Sequence, residues 1–408
     1  MAMVATLPGH FGARIAAVLG VCVLVLLWAL SADGARAAVT GAVRFEEAHG
    51  MPRACIYPDF KSVDGGFTWV LCREALRPDR RVGLVRIDPA GHASRLYALP
   101  RRFEDGGTVP GRNGAIWFVG QRYACQITAR GAGGCVAIPR SAAFPRARNY
   151  TAGQAGTPSG SLALLRSASK GDQKDLEDSL VTITADLKTS IQILPPEANV
   201  LDPGLVMSSS GELWFGGLTF IGRISATSHV TLFPLAAALN GSDGGSALPA
   251  QATPNGDVYF VAGLKEQYLF RVDPEGVQTV VAKAPGNLNT GLTTETSDGA
   301  VWELAGKPFN HTVPTLLVRS DPNGEVGRFT LVGHELTELA SGPGGELWAT
   351  EFNETSNHWW LVTINKSGVV TRRRANSRVV FGSGSTLWVA AATARASVPV
   401  RLLRVVVR

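Results

Sequence analysis

Gly342-Pro343-Gly344-Gly345-Glu346-Leu347-Trp348-Ala349-Thr350-Glu351 decides how this chain is read. Its kernel is a glycine, two residues and an aromatic, and that kernel recurs. Gly66-Phe67-Thr68-Trp69, Gly114-Ala115-Ile116-Trp117, Gly211-Glu212-Leu213-Trp214, Gly256-Asp257-Val258-Tyr259 and Gly299-Ala300-Val301-Trp302 are further copies. Two are degenerate: Gly160-Ser161-Leu162-Ala163 lacks the aromatic and Ser385-Thr386-Leu387-Trp388 lacks the glycine. From Trp69 to Trp388 the successive gaps are 48, 46, 51, 45, 43, 46 and 40 residues. A fixed period of this size marks one supersecondary unit repeated along a chain.

Within a unit the apolar residues fall in short runs, as strands do. An apolar run such as Leu336 to Ala340 precedes the glycine turn, and an aromatic run such as Leu347 to Thr350 follows it. A third run, for example Leu269 to Val272 or Leu361 to Ile364, ends in a tight turn such as Asp273-Pro274-Glu275-Gly276 or Asp321-Pro322-Asn323-Gly324. There proline presets φ and glycine supplies a positive φ. A fourth run, such as Val277 to Val281, completes the unit. Four short antiparallel strands per repeat, arranged radially, predict an all-β chain: a β-propeller of about eight four-stranded blades. Seven blades is the alternative, through failure of the unit at Ala163. The last unit reaches Arg408 without its outer strand, while Gly41 to Glu47 looks like an outer strand with no blade of its own. The expectation is that the amino-terminal strand pairs into the last blade and closes the ring, removing an open sheet edge.

Residues 38–408 then form one propeller domain, and residues 1–37 stand apart. Arg14 precedes an apolar run from Ile15 to Leu30 that gives way to small and polar residues ending at Ala37, the pattern of a signal peptide. An uncleaved anchor is the alternative, although the run is short for a membrane span. Both place the bulk of the chain outside the cytoplasm, secreted or at the cell surface, and contact with a membrane is expected only through that segment. Beyond it, four cysteines remain: Cys55, Cys72, Cys125 and Cys135. Cys55 and Cys72 flank one turn and Cys125 and Cys135 another, so two hairpin disulfides are expected; buried thiols are the alternative. With 39 Lys and Arg against 33 Asp and Glu, a net +6 spread without a basic stripe, nucleic acid is not an expected partner.

Gly211-Glu212-Leu213-Trp214-Phe215, then Ile221-Gly222-Arg223-Ile224 and Val230-Thr231-Leu232-Phe233, together with Gly342 to Glu351, resemble the repeat of the virginiamycin B (streptogramin) lyase family. The resemblance implies a propeller on one face of which His and Glu residues with Mg²⁺ open a cyclic ester by elimination. Such chemistry needs a base beside a carbonyl and a cation for the developing enolate. The glutamate that ends the family's second strand is present as Glu351, but Gly120, Gly217, Ala262, Ala305 and Ala391 stand at corresponding places. His334 lies near the loop where the family has a histidine, about three residues early.

Loops from outer to inner strand and from second to third strand share one face of a propeller. Glu351, His334 and His358 are the catalytic candidates there, and Glu303, His311, Glu335, Glu354 and Trp359 the candidates for a ligand-binding rim. His49 is assigned to the same face, and His92 and His229 to the other. The polar stretch from Ser167 to Asp178 reads as a solvated insertion. Two functions follow. The first is an exported monomeric propeller that binds a small-molecule or protein ligand on that face and needs no cofactor. The second is a Mg-dependent C–O lyase or lactone hydrolase acting on a cyclic ester.

Overall fold

The aromatic position of each kernel lies on the second strand of a four-stranded sheet in the computed structural model. It describes residues 43–51, 59–63, 67–73, 82–98, 107–131, 133–141, 148–169, 176–198, 200, 204–237, 239, 247–263, 266–285, 292–305, 315–332, 334–353, 358–382, 387–391 and 401–407. The kernel glycine turns the chain in the left-handed region, with φ +72° at Gly114 and +77° at Gly345, a conformation glycine enters without a Cβ clash.

Eight four-stranded sheets result. Blade 1 comprises Asp59–Val63, Phe67–Arg73, Val82–Ile87 and Tyr97–Ala98. Blade 2 comprises Gly107–Pro110, Ile116–Val119, Tyr123–Ile127 and Gly133–Ala137, and blade 3 Arg148–Gly156, Leu162–Ser169, Leu176–Ile183 and Thr189–Ile193. Blade 4 is Leu205–Met207, Leu213–Gly216, Phe220–Ile224 and Val230–Pro234; blade 5 is Ala247–Ala252, Val258–Ala262, Glu266–Val272 and Gln278–Pro285. Blade 6 is Thr293–Glu295, Val301–Ala305, Thr315–Ser320 and Val326–Leu331; blade 7 is Glu335–Ser341, Leu347–Asn353, His358–Ile364 and Val370–Ala375. Blade 8 takes Ser377–Phe381, Trp388–Ala391 and Arg401–Val407, and its outer place is filled by Val43–Glu47 from the other end of the sequence.

The inner strand of every blade touches that of the next, and the inner strand of blade 8 touches that of blade 1. This is an eight-bladed β-propeller. The amino-terminal strand joins the last blade as expected: Ala48 N–H donates to Leu402 O at 2.9 Å, and Glu47 pairs with Arg401. Sharing one sheet between the two chain ends replaces an unpaired edge with hydrogen bonds.

The kernel aromatics wedge the blades together. Trp69, Trp117, Trp214, Trp302, Trp348 and Trp388 are all fully buried. Trp69 and Trp117 donate their indole N–H to Gly114 O and Gly160 O of the following blade, at 3.0 and 3.1 Å. Trp214 packs with Val258 and Phe260 of blade 5, whereas Phe215 packs back on Ala163 and Leu165 of blade 3. Adjacent residues of a strand face opposite sides, so the kernel aromatic serves the following joint and the next residue the preceding one. Ala163 does not cost the ring a blade, because Leu194, Ala198 and Val200 from the connection after blade 3 fill the space beside it.

Two expectations are corrected. The stretch from Ser167 to Asp178 is not wholly a solvated insertion: Ser167 faces Asp178 across the sheet, both are buried, and Asp178 Oδ2 accepts Val200 N–H at 2.7 Å. Residues 170–175 lie outside the described residues. His49 does not join the face of His334. Its backbone bonds Gly91 O and Ala93 N–H at the turn between the third and outer strands of blade 1, with its ring 6.0 Å from that of His92. The chain after Glu47 keeps its hydrogen bonds by following that turn instead of crossing to the rim.

Candidate functional site

Alternation along Leu347–Asn353 places Glu351 on the side of blade 7 that meets blade 6. Its partners across the sheet are Leu336 and Trp360, which pack in one cluster with Trp302 and Leu304 of blade 6. Glu351 is 0% exposed. A carboxylate so placed needs partners, since an unpaired charge in an apolar setting costs several kcal/mol, on the order of a whole protein's margin of stability.

It has them. Arg372, on the outer strand of blade 7, crosses the face of Trp360 with its guanidinium 5.6 Å from the ring centroid. There it donates twice to the carboxylate, Nη2 to Oε1 at 2.6 Å and Nε to Oε2 at 3.1 Å. His334 Nδ1 stands 3.1 Å from Oε1. The carboxylate beside it holds the Arg372 proton more firmly than usual, chiefly through that side-chain hydrogen bond. Glu351 and His334, singled out from the sequence, are thus brought together, and Arg372 joins them as a third group that the sequence did not single out. The run Arg372-Arg373-Arg374 puts three cations on the outer strand, and of these only Arg372 reaches the second strand: Arg373 bonds Thr363 and Arg374 lies over Phe45.

The rest of the candidate set disperses. His358 is exposed at the start of the third strand, opposite Asn353 on the side that also carries Glu351. Trp359 faces the other way, half-buried, with its ring 4.8 Å from Phe352. Glu335 is half-buried opposite Phe352. His311 and Glu354 lie outside the described residues.

Glu303 is not on the rim. It follows Trp302 directly, at a position occupied by Val70, Phe118, Leu164, Phe215, Phe260, Ala349 and Val389 in the other blades. Its neighbours Val301 and Val318 pack with Tyr259, Val261 and Leu269, so its side chain enters the joint between blades 5 and 6. It is 2% exposed, and Oε2 has no hydrogen-bond partner among the described residues. Burial pushes its pKa up to about 8. The period-2 alternation of Val301–Ala305 already implied this burial, but a carboxylate was expected to seek the rim.

At the position equivalent to Glu351, blade 3 carries Arg166, 4% exposed, whose guanidinium donates to Pro139 O. The strand-end position is therefore not reserved for an acid in this ring. Cys125 and Cys135 face each other across a hairpin of blade 2 and are joined by a disulfide, Cα atoms 4.0 Å apart. Cys72 is also disulfide-bonded, and Cys55 lies outside the described residues. Among the described residues no helix is long and apolar enough to cross a membrane.

The described residues around Glu351 do not fit the Mg²⁺ that the family resemblance implies. A magnesium ion needs free oxygen donors in near-octahedral array. Both oxygens of Glu351 already carry Arg372 donors, and among the described residues no group of three or more His, Cys, Asp or Glu side chains is placed to hold a metal.

The chain is similar to a solved streptogramin B lyase structure at 16% identity and TM-score 0.48, covering 77% of this chain and 96% of that one. It is similar to a catalytically inactive variant of virginiamycin B lyase from Staphylococcus aureus with quinupristin at 16% identity and TM-score 0.47, covering 90% and 99%. A putative gluconolactonase is similar at 14% identity and TM-score 0.35, covering 75% and 91%. No family model and no curated protein matches the chain.

Proposed function

We propose that this chain is an exported binding propeller. Its ligand, a small molecule or a segment of another protein, sits on the face formed by the second-to-third strand connections, and no bond is broken there. The observation that carries this reading is the closed shell around Glu351. A general base must have a lone pair directed at the proton it takes. Here the carboxylate is bidentate to Arg372 and shared with His334, so it serves the joint between blades 6 and 7. Exposed His358 and half-buried Trp359 and Glu335 are the candidate contacts for a ligand. The apolar segment ahead of Ala37 and the Cys125–Cys135 disulfide support a location outside the cytoplasm.

The lyase reading has one observation in its favour, the 3.1 Å approach of His334 to Glu351, which a histidine–carboxylate dyad would use. An assay separates the two. Purified protein is incubated with a streptogramin B-type cyclic depsipeptide and Mg²⁺, and the products are followed by mass spectrometry. The expected result is intact substrate. A linear product from the wild type that disappears in a folded Glu351→Gln variant would overturn the binding reading.

A further inference from the structure

The joint between blades 5 and 6 is built unlike the others. Tyr259 stands where the other fully formed kernels have tryptophan, and its hydroxyl bonds Ser320 Oγ across the joint at 2.6 Å. A cavity of about 170 Å³ opens beside it, lined by Asn255, Asp257, Tyr259, Arg271 and Asp321 among others. One position on, where seven blades are apolar, this joint receives Glu303, with an oxygen that bonds nothing among the described residues.

The charged groups that could have matched Glu303 are engaged elsewhere. Arg328, reached from Glu303 by crossing Val318, donates instead to Val281 O of blade 5 at 2.7 Å. Arg271, opposite Tyr259, stands 3.5 Å from Asp257. Arg319 lies on the other side of its strand with Asp298 and Asp321. The remaining titratable neighbour on the inner strand is Glu295, itself acidic and held above the usual carboxylate range by burial. Among the described residues nothing stabilises an ionised Glu303, and burial of a lone carboxylate favours its neutral form.

We propose that the proton on Glu303 is the latch of the blade 5–6 joint: while it is held, the two blades stay packed, and its loss lets water enter and the joint open. This inference is independent of what the rim binds. An opened joint exposes Glu303 to water, where its pKa returns toward 4.5, against about 8 when packed. Opening therefore becomes easier as pH rises between those values and levels off above the upper one.

Hydrogen exchange of the full chain tests this. Rates are corrected for intrinsic exchange between pH 5.5 and 7.5 in the wild type, Glu303→Gln and Glu303→Leu. Segments Val258–Ala262 and Val301–Ala305 report the joint, and Leu347–Asn353 serves as the control. In the wild type, protection at the joint should fall about a hundredfold over the two pH units, one proton's linkage, while both variants stay flat and the control segment holds. An equal fall in the variants, or a fall of the control segment in step with the joint, would overturn the latch. The leucine variant keeps the test valid should the glutamine variant fold poorly.

Discussion

Two neighbouring joints of this ring each bury a glutamate on a second strand and treat it in opposite ways. Between blades 6 and 7, Glu351 is neutralised by Arg372, which reaches across Trp360. Between blades 5 and 6, Glu303 has no cation among the described residues, and the corresponding arginine, Arg328, bonds a carbonyl of the preceding blade. The two glutamates stand at different places, Glu303 one residue after its kernel tryptophan and Glu351 three after, and the sheets differ as well. In blade 7 the third and outer strands slip register between Leu361 and Val362, whereas the pairing in blade 6 is continuous from Thr315 to Ser320. The lesson is that a buried carboxylate in a repeat protein is not a functional signal in itself. Whether it ends as an ion pair or a neutral acid depends on where it stands relative to the arginine of the outer strand, which pairs with the same third-strand position in both blades.

The comparison breaks most severely if Arg372 is removed. Arg372→Ala leaves Glu351 buried without a cation, and stripping one partner from a buried pair costs about 3–5 kcal/mol. With the Arg372 side chain 42% exposed, the expected loss is toward or below the lower end, about 2–3 kcal/mol, read as a shift in urea midpoint at pH 7. A loss under about 0.5 kcal/mol, as for an exposed pair, would show that the joint does not depend on it.

Glu303 should respond in the opposite sense. Glu303→Leu replaces a neutral acid lacking a partner with an apolar side chain of similar size, and thermal unfolding at pH 7.5 should show a gain of about 1–2 kcal/mol. The pH dependence follows from the same cause. Because the folded pKa, about 8, lies above the unfolded value, the folded state holds an extra proton in the window between them. Stability then falls as pH rises through that window, by about 1.4 kcal/mol per unit where the linkage is complete. Subtracting the Glu303→Gln profile from that of the wild type isolates this slope, and identical profiles would refute it. The smallest effect belongs to Tyr259→Phe, which removes one hydrogen bond to Ser320 and should cost about 1 kcal/mol in the same unfolding experiment.

The ring itself was legible because the glycine–aromatic kernel has a mechanical reason at each end. The glycine makes the turn and the aromatic fills the following joint, so period, blade count and closing strand could all be read from residues such as Gly345, Trp348 and Val43. The site was legible only in part. Glu351 and His334 stand on adjoining strand and loop of one unit, and unit topology alone brings them together. Arg372 lies 21 residues from Glu351 and reaches it from another strand, a contact that no residue pattern announces. Glu303 was misplaced for a different reason: its polarity outweighed the alternation that buried it. His49 was misplaced because the turn it follows belongs to blade 1, at the far side of the closure.

The account rests on Glu351 being spent on the joint between blades 6 and 7, and a double-mutant cycle measures that directly. Unfolding free energies of the wild type, Glu351→Gln, Arg372→Gln and the double variant give the coupling between the two side chains. The account predicts a favourable coupling of about 1–3 kcal/mol, with the Arg372→Gln loss largely relieved once Glu351 is also neutral. A coupling indistinguishable from zero would contradict it, returning Glu351 to the rim as a carboxylate free for chemistry.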